Sequence, residues 1–451
     1  MKQFEQLKAH GLFEAKVPRY TSYPPANHFA THGGRDNIST WLGQIPGGEE
    51  ISLYVHIPFC KRLCWFCACR TQGTQNYRPV ETYIKTLIKE VRMIRAAMSD
   101  DLRLSRLHLG GGTPTILTPE TMSLLLDTIF AEFEIGEEFE FSVEIDPTEA
   151  SDALLGTLMG YGMNRASIGV QDFDPAVQKS IGRIQSYEQT RHVVNLLRAQ
   201  GQVGLNMDVL YGLPHQTAES LSRTIEKVLS LRPDRLALYG YAHVPWMSKR
   251  QVMIDAEALP DGPQRYQLAQ LAAQKLEQAQ YLPIGIDHFA LASDGLAKAV
   301  TDGMLRRNFQ GYTDDPARVL VGLGASAISQ FPQGFSQNAA ATSAYAGRIE
   351  AGELAAQRGF VLSADDVCRA NAIDQLMCHF ELDLNALRGA DDAASQVLAR
   401  ELSELAQATD GLCMIEGGRF RIKPEARPLV RIIANRLDQY SGEKHAHSLA
   451  I

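Results

Sequence analysis

One stretch decides the fold: Ser52-Leu-Tyr-Val-His-Ile-Pro-Phe-Cys60-Lys-Arg-Leu-Cys64-Trp-Phe-Cys67-Ala-Cys69. It begins as an apolar run and ends with four of the chain's seven cysteines. Thiolates are soft ligands, and sites rich in them select iron–sulfur clusters, zinc or copper(I). A structural zinc site usually takes two Cys or His pairs separated by an intervening segment. No second pair stands at such a distance here, so the stretch predicts an iron–sulfur site.

The ligand set follows from the spacing of the thiols. Cys60, Cys64 and Cys67 can occupy three corners of one [4Fe–4S] cube and leave the fourth iron open to a small molecule. Other arrangements remain open at this point: a disulfide pair, a zinc knuckle, or a closed electron-transfer cluster that also uses Cys69.

Length, composition and net charge limit the classes of protein to which this chain can belong. A chain of 451 residues suggests a large catalytic domain plus a smaller one, and 45% hydrophobic with 21% charged residues is normal for a globular protein. The net charge of −8 argues against nucleic acid as a partner and requires a local basic pocket for any anionic substrate. No apolar run reaches membrane-spanning length. The number of cysteines is odd and four of them are clustered, which fits a reducing cytoplasm rather than a framework of disulfides.

A repeating strand–helix rhythm begins at Ser52 and is typical of parallel β/α architecture. Strands are predicted near residues 52–58, 104–110, 138–145, 165–171, 204–211 and 235–242. An amphipathic helix is predicted near 80–97. Six such units predict an α/β fold, a partial (β/α)6 barrel. Polar residues follow the predicted strand ends, where barrels bind ligands.

The chain is predicted to contain four segments: an N-terminal arm (1–48), the partial barrel (49–290), a barrel extension (291–355) and a smaller, mostly helical, winged-helix-like C-terminal domain (356–451). Ser363 and Asp366 have capping-box spacing and open a helix that runs to about Phe380. A helix near 391–408, a hairpin turning at Gly417-Gly418 and a helix near 428–440 follow. The acidic chain favours a role in covering the substrate entrance over DNA binding.

The segment Cys60-Lys-Arg-Leu-Cys64-Trp-Phe-Cys67 resembles the signature of radical S-adenosylmethionine enzymes. Cys69 and the upstream Arg19-Tyr-Thr-Ser-Tyr-Pro24 narrow the likeness to the oxygen-independent coproporphyrinogen III oxidase family. This resemblance implies that the three signature cysteines hold a [4Fe–4S] cluster and that Cys69 is not a ligand. It also implies oxidative decarboxylation of two propionates of coproporphyrinogen III to vinyl groups, through a 5′-deoxyadenosyl radical. The product would be protoporphyrinogen IX, in haem synthesis without oxygen.

The same resemblance implies two bound S-adenosylmethionine molecules. It assigns the first to Tyr54, Gly111, Glu144 and Ile328. It assigns the second to Phe66, Gly112, Thr113, Gln171, Arg183, Asp208 and Ala242. These residue types suit the ligand, because glycines allow close approach, carboxylates accept bonds from ribose hydroxyls and arginine pairs with a carboxylate. By itself, the run Gly110-Gly111-Gly112 would more often form a tight turn than a ligand-binding site.

Substrate carboxylates are expected to meet arginine, whose planar guanidinium pairs with a carboxylate better than lysine does. The candidates are Arg19 and Tyr20 in the arm, and Arg307 and Gln310 after the barrel. We predict that these two segments converge over the barrel mouth; the alternative is a pair of solvated turns. Three histidines near strand ends have no assigned role: His56, His243 and His288.

The expected partners are the porphyrinogen and an electron donor of the flavodoxin or ferredoxin type, without nucleic acid or a membrane span. The expected state is a cytoplasmic monomer. One alternative is a haem-handling radical S-adenosylmethionine relative without oxidase activity, but such relatives typically lack Cys69 and the arm. An electron-transfer module with a closed cluster is disfavoured by chain length, and a winged-helix regulator by charge.

Overall fold

The computed structural model describes residues 2–31, 33, 35–201, 203–389, 393–442 and 448–451. The strands of the described chain are β1 (Glu50–Ile57), β2 (Phe59–Cys60), β3 (Gln72–Gly73), β4 (Arg103–Gly111), β5 (Glu134–Ile145), β6 (Arg165–Gln171), β7 (Gly204–Tyr211), β8 (Arg235–Gly240), β9 (Leu282–Ile284), β10 (His288–Ala290), β11 (Arg306–Asn308), β12 (Gly311–Thr313), β13 (Val319–Leu323), β14 (Ile328–Phe331), β15 (Gly334–Asn338), β16 (Ala356–Val361), β17 (Glu381–Asp383), β18 (Cys413–Glu416) and β19 (Arg419–Ile422).

The α-helices of the same residues are α1 (Lys2–Ala9), α2 (Ile38–Gly43), α3 (Arg78–Ala96), α4 (Pro119–Glu132), α5 (Asp152–Gly160), α6 (Pro175–Ser180), α7 (Tyr187–Gln200), α8 (Ala218–Ser230), α9 (Gly262–Gln278), α10 (Gly295–Thr301), α11 (Thr342–Glu350), α12 (Ala364–His379), α13 (Leu384–Gly389), α14 (Ala393–Ala408) and α15 (Val430–Ala434).

The central sheet has the order β16-β15-β14-β13-β1-β4-β5-β6-β7-β8-β10-β9. Its middle part, β1 and β4 to β8, is parallel and confirms the six predicted strands. β13 adds a further parallel strand beside β1, which the sequence analysis did not predict. Antiparallel strands extend both edges. The parallel part is the predicted partial barrel.

Burial explains why these segments form strands and helices. β6 alternates half-buried and buried residues, as expected for a strand with one face in the core. α3 buries Val80, Ile84, Leu87 and Val91 at helical spacing, and confirms the helix predicted near 80–97. Each such side chain contributes roughly 1.5–3 kcal/mol when it leaves water. Barrel strands and outer helices therefore share one continuous apolar core.

The C-terminal region confirms most of its predicted elements. The capping box of Ser363 and Asp366 is present at the start of α12, and the hairpin β18–β19 turns at Gly417 and Gly418, both with positive φ. α14 begins at Ala393, so the predicted start at residues 391–392 lies outside the described residues. A three-stranded sheet of β17, β19 and β18 packs among these helices, which fits the predicted winged-helix-like shape.

The helix predicted near 428–440 is present only in part, as the short α15. A 3-10 turn covers Pro424–Leu429, and α15 ends at Ala434. Beyond it, Asn435 and Asp438 accept hydrogen bonds from the hydroxyl of Tyr20 at 3.0 Å each. These contacts favour a turn over further helix, because the side chains are aimed at the arm.

The arm packs against the C-terminal region. Leu7, Leu12 and Phe13 share a buried apolar cluster with Leu376 and Phe420. The four segment boundaries given above remain a prediction. Within the described residues, we find no helix with the length and apolar character needed to cross a membrane.

Candidate active site

A cavity of about 400 Å³ runs through the inside of the barrel, from the first residues of the parallel strands to their carboxyl ends. We call it the cysteine cavity, because four cysteines of one loop line it: Cys60, Cys64, Cys67 and Cys69. Strands β2 and β3 pair at the two ends of this cysteine loop, residues 60–73, and close it. The first strand therefore delivers the thiols to the carboxyl end of the barrel.

Neighbouring segments hold the cysteine loop from both sides. The amide of Trp65 donates to the carbonyl of Ile181 at 2.9 Å. On the other side, Gln251 Nε2 donates to the carbonyl of Phe66 at 2.7 Å. Trp65 and Phe66 also pack against a buried apolar cluster that includes Ile181 and Ile254. The thiols are thus fixed by a rigid frame rather than by a free loop.

The thiol environment suits an iron–sulfur cluster. All seven cysteines of the chain are free. Burial raises the pKa of Cys60 to about 11, whereas a hydrogen bond from Cys69 holds the pKa of Cys67 below its ordinary value. Arg183 Nη1 lies 3.6 Å from Cys64 Sγ, where a guanidinium stabilises thiolate charge. In the described residues no group of three or more His, Cys, Asp and Glu side chains could hold a single metal ion.

Three of the four residues assigned to the first S-adenosylmethionine lie together: Tyr54, Gly111 and Glu144 all line the cysteine cavity. Glu144 Oε2 accepts from the amide of Gly111 at 3.0 Å, and His108 stacks on Tyr54 with ring centres 5.6 Å apart. Burial opposes the charge of Glu144, but the hydrogen bond from His108 keeps the pKa of Glu144 below its usual value. Ile328, at the start of β14, does not line this cavity.

Gly111 must be glycine. Its φ is +109°, a conformation that other residues rarely adopt, and an added Cβ would lie 2.4 Å from the ring of His56. His56 is itself buried, with Tyr54 Oη 3.0 Å from its Nδ1 and the carbonyl of Arg70 3.0 Å from its Nε2. The glycine run is therefore more than a surface turn, because it lets the backbone lie directly on the cavity wall.

Of the residues assigned to the second S-adenosylmethionine, one lies apart. Ala242 lines the second cavity described below. The others line the cysteine cavity: Phe66, Gly112, Thr113, Gln171, Arg183 and Asp208. Gln171 has φ +66°, a conformation costly for a non-glycine residue and often found at functional sites.

Two charged residues of this second set have partners of their own. Arg183 pairs with Asp146 at 3.0 Å and donates to Gln185 Oε1 at 2.9 Å. A ligand carboxylate at Arg183 would therefore share the guanidinium with Asp146. Burial raises the pKa of Asp208 to about 6, although Asn206 donates a hydrogen bond to its carboxylate.

A second cavity, of about 670 Å³, lies between the ends of β7 and β8, α9, the arm and the C-terminal region. We call it the arginine cavity, because five arginines line it: Arg427, whose guanidinium lies over the ring of Phe380, and four others, Arg19, Arg265, Arg307 and Arg431. The two predicted substrate segments thus contribute Arg19 and Arg307 to one space, as the convergence prediction requires. Whether they bind substrate remains a prediction.

The four arginines differ in the donors that they leave for a ligand. Arg431 donates to the carbonyls of Val17 and Pro18 in the arm and to Leu449 and Ala450, so it fixes the walls of the cavity. Burial, together with the neighbouring guanidinium groups, lowers the pKa of Arg431 to about 9.

Arg265 and Arg307 keep donors free. Arg307 Nε and Nη1 and Arg265 Nε are buried without a hydrogen-bond partner in the described part of the chain. Arg307 faces one carboxylate, Asp287, at 3.9 Å. Arg19 is exposed, and in the part of the chain that the structure describes its side chain makes one hydrogen bond, to the carbonyl of Gly240 at 3.0 Å. The buried donors of Arg265 and Arg307 call for an anionic ligand.

The remaining substrate candidates lie elsewhere. Tyr20 is buried against Asn435 and Asp438, and lines neither cavity. Gln310 lines the cysteine cavity, and its Oε1 has no partner among the described residues. The structure thus brings Arg19 and Arg307 together and separates Tyr20 and Gln310 from them.

Two residues, Tyr239 and His288, line both cavities and form the wall between them. His288 Nδ1 lies 2.7 Å from Asp287 Oδ1, and its Nε2 lies 3.4 Å from Tyr239 Oη. His243 lines only the arginine cavity, where Tyr241 Oη is 3.0 Å from its Nδ1. The junction offers polar contacts, and the cysteine cavity on one side of it holds arginines beside its thiols, among them Arg62, Arg183 and Arg250.

Comparisons with known proteins agree with this geometry. The model of the Radical SAM superfamily matches residues 54–228. An oxygen-independent coproporphyrinogen III oxidase of Paracoccus denitrificans is 51% identical over 451 residues, which is 100% of both chains. Another, of Cereibacter sphaeroides, is 47% identical over 445 residues, 98% of each. The chain belongs to the oxygen-independent coproporphyrinogen III oxidase family. Its predicted resemblance is thereby confirmed.

A solved structure supports the same family. The coproporphyrinogen III oxidase of Escherichia coli, a radical SAM enzyme, aligns with a TM-score of 0.89 at 35% identity, over 94% of this chain and 100% of that one. The predicted fold class is confirmed. A [4Fe–4S] cluster and S-adenosylmethionine are cofactors of the family, and the free thiols, Arg183 and the Gly111 backbone fit them.

Several residues of this site were missed by sequence reasoning. His108 had a signal, because Arg106-Leu-His-Leu109 alternates polar and apolar residues and places His108 on the cavity face of β4. Tyr239 had no such signal, because Leu236-Ala-Leu-Tyr239 is apolar throughout and does not alternate. Arg265 and Arg431 could not be recognised from any sequence pattern, because only the tertiary fold brings α9 and α15 to the same cavity.

Proposed function

We propose that this chain converts two propionate arms of coproporphyrinogen III to vinyl groups without oxygen and so forms protoporphyrinogen IX for haem synthesis. One observation carries the proposal: a cavity lined by thiols and a cavity lined by arginines share the wall made by Tyr239 and His288. The first suits the radical-generating cofactors, and the second suits a substrate with several carboxylates.

The cysteine cavity would hold the cofactors. Cys60, Cys64 and Cys67 would bind the [4Fe–4S] cluster, and Cys69 would stay unliganded beside them. When bound, the cluster and S-adenosylmethionine supply a 5′-deoxyadenosyl radical that removes a hydrogen atom from the β-carbon of a propionate. The backbone of Gly111 and the carboxylate of Glu144 would orient the first S-adenosylmethionine.

A second S-adenosylmethionine is part of the proposal. Gln171, Arg183 and Asp208 lie along the same cavity and would hold it, with Phe66, Gly112 and Thr113 on the loop side. Asp208 would accept from ribose hydroxyls. Ile328 and Ala242 lie outside the cysteine cavity and would contact these ligands only after a local rearrangement.

The arginine cavity would hold the porphyrinogen through the carboxylates that do not react. Arg19, Arg265 and Arg307 have donors to spare, and Arg431 positions the arm and fixes the cavity wall. Each buried carboxylate–guanidinium contact is stronger than the same contact in water, since the local dielectric is lower. The barrel and the C-terminal region together keep water from the substrate.

The junction would pass the reacting arm from one cavity to the other. Conversion of –CH2–CH2–COO⁻ to –CH=CH2 removes one hydrogen atom, one carbon dioxide and one electron, so no residue has to accept a proton. The residues at the junction need only to position the arm. Tyr239 and His288 would do so through hydrogen bonds, while Asp287 holds the imidazole ring.

The experiment is anaerobic reconstitution with iron and sulfide, followed by incubation with reductant, S-adenosylmethionine and coproporphyrinogen III. We expect a monovinyl product and then a divinyl product by chromatography, both absent when S-adenosylmethionine is omitted. Cleavage of S-adenosylmethionine without any vinyl product would contradict the proposal and favour a haem-handling relative.

We also propose a cytoplasmic monomer that takes electrons from a flavodoxin or ferredoxin and binds no nucleic acid. The seven free thiols suit a reducing compartment, and the net charge of −8 opposes binding to phosphate backbones. Sedimentation of the reconstituted protein tests the oligomeric state.

A further inference from the structure

An electron must reach the cysteine loop from outside, because its inner face looks into the cavity that the cofactors fill. The outer face is held by two surface segments, residues 181–184 and 246–254. Arg62 Nη1 donates to the carbonyl of Ile184 at 3.2 Å, and Ser248 Oγ donates to the carbonyl of Cys67 at 2.9 Å. Arg250 Nη2 donates to the carbonyl of Thr71 at 2.9 Å. These segments are therefore two parts of the protein surface that make direct hydrogen bonds with the loop.

The same two segments expose apolar side chains. Of the twelve large hydrophobic residues that are exposed in the described chain, five lie here. Trp246 lines the arginine cavity and belongs to that entrance. The other four are Ile184 (59% exposed), Met247 (70%), Val252 (69%) and Met253 (57%). Apolar side chains that are this exposed and this clustered typically mark an interaction site.

The sequence around these apolar residues is basic, with the carboxylate of Glu149 as an acidic neighbour of Lys61 and Arg62. The loop residues 61–70 and the segment 246–254 carry five Lys or Arg and no Asp or Glu, in a chain with 52 acidic and 44 basic residues. Lys61, Arg70 and Lys249 are exposed. Acidic residues resume at Asp255, whose carboxylate accepts from the amide of Glu257 to cap the next turn. A local excess of cations on an acidic protein steers an acidic partner to this face.

We infer that this face, formed by Ile184, Met247, Lys249, Val252 and Met253, docks an acidic one-electron-carrier protein that reduces the cluster. In the docked pair one electron leaves the reduced carrier and enters the cluster, and no bond is made or broken. Electron-transfer encounters are small and transient, and a few apolar residues within a charged rim suit them. The inference rests on the proposed function, since only a redox cluster behind the loop needs such a carrier.

The test compares two exposed substitutions with a matched control. Lys249→Glu reverses a charge on the docking face, and Met253→Asp adds one. Lys85→Glu reverses a charge on α3, where Lys85 pairs with Glu81 at 3.0 Å in solvent. The probes are a flavodoxin and a [2Fe–2S] ferredoxin. Their oxidised forms are titrated into the reconstituted enzyme by calorimetry, from about 10 mM to about 0.15 M salt.

We expect at least one carrier to bind, and both face variants to weaken it about threefold to tenfold at low salt, with less salt dependence for Lys249→Glu. Turnover with that carrier should fall in parallel, while turnover with dithionite stays at the wild-type rate. Lys85→Glu should match wild type in every measurement.

Three results would overturn the inference: neither carrier binds the wild-type enzyme at low salt, the face variants bind as wild type does, or Lys85→Glu loses as much as they do. A face variant that instead changes the sedimentation coefficient, with carrier affinity intact, would assign the surface to a second copy of the chain. The dithionite assay separates the two questions, since no vinyl product with dithionite would refute the proposed function whatever the carriers do.

Discussion

Arg307 provides the sharpest test of how the substrate is held. Its side chain is 4% exposed and two of its guanidinium nitrogens are unpaired among the described residues. The carboxylate of Asp287 lies 3.9 Å from the guanidinium, and Asp374 accepts a hydrogen bond from the backbone amide of Arg307. At an effective dielectric constant of about 20, opposite unit charges 4 Å apart attract by about 4 kcal/mol. Because Arg19 and Arg265 would remain, we expect Arg307→Ala to weaken porphyrin binding by about 2–4 kcal/mol, roughly thirtyfold to several-hundredfold.

The assay is anaerobic titration with coproporphyrin III, the stable oxidised form of the substrate, followed by fluorescence quenching. Iron content and affinity for S-adenosylmethionine report whether the cysteine cavity survives the change. The neighbouring Arg306 is the matched control, since it donates to the carbonyl of Ala317 at 3.2 Å and lines neither cavity.

Arg306→Ala should bind porphyrin as wild type does. Equal affinities for wild type and Arg307→Ala would show that the carboxylates are held elsewhere, and equal losses in both variants would indicate general disruption. Arg307→Ala also leaves Asp287 with His288 as its nearest partner. Restoring part of the affinity with a second change, Asp287→Asn, would show that repulsion by this carboxylate contributes to the loss.

Other parts of the structure make separate predictions. Cys67→Ala should lose iron from anaerobically reconstituted protein and Cys69→Ala should keep it; the reverse pattern would reassign the ligands. Gly111→Ala should weaken S-adenosylmethionine binding at least tenfold in calorimetry, because its Cβ would overlap the neighbouring imidazole, whereas Gly160→Ala has open space and should not. Burial raises the pKa of Glu90 to about 7 from an ordinary 4.5, so the folded chain holds an extra proton between these values and loses stability as pH rises through them. Thermal melts of Glu90→Gln should lack this loss, and a parallel pH dependence in both proteins would refute the assignment.

Many strands and helices could be predicted because the sequence signals for them lie within the segments themselves. The strand at residues 165–171 and the capping box of Ser363 carry their own signals, in alternating polarity and in helix-start chemistry. β13 was missed because a short, small, apolar run has no period of its own, and becomes a strand only by pairing with β1. The helix near 428–440 was predicted too long: it ends at Ala434, and beyond it Asn435 and Asp438 contact Tyr20, which is more than 400 residues away.

The candidate site likewise has one part that could be predicted from the sequence and one part that could not. The cysteine cavity could be predicted from a dense motif and from residues that follow successive strands, so twelve positions assigned to the cluster and S-adenosylmethionine line one cavity. The arginine cavity could not, because α9, α15 and the arm have no sequence pattern that places them side by side. Arg265 and Arg431 were invisible for that reason, although Arg19 and Arg307 were not.

Local charge, rather than net charge, decides what this acidic chain binds. Exposed carboxylates more than about 8–10 Å from a ligand are screened by salt, whereas buried guanidinium groups act at lower dielectric. In the arginine cavity the side chains of Arg265 and Arg307 are buried and Arg19 is exposed, so porphyrin affinity should change only moderately with ionic strength. The docking face is exposed, so carrier affinity should fall steeply as salt is raised. Measuring both affinities over one salt series therefore distinguishes a partly buried anion site from a surface that steers a partner, and equal salt dependence of the two would contradict this division.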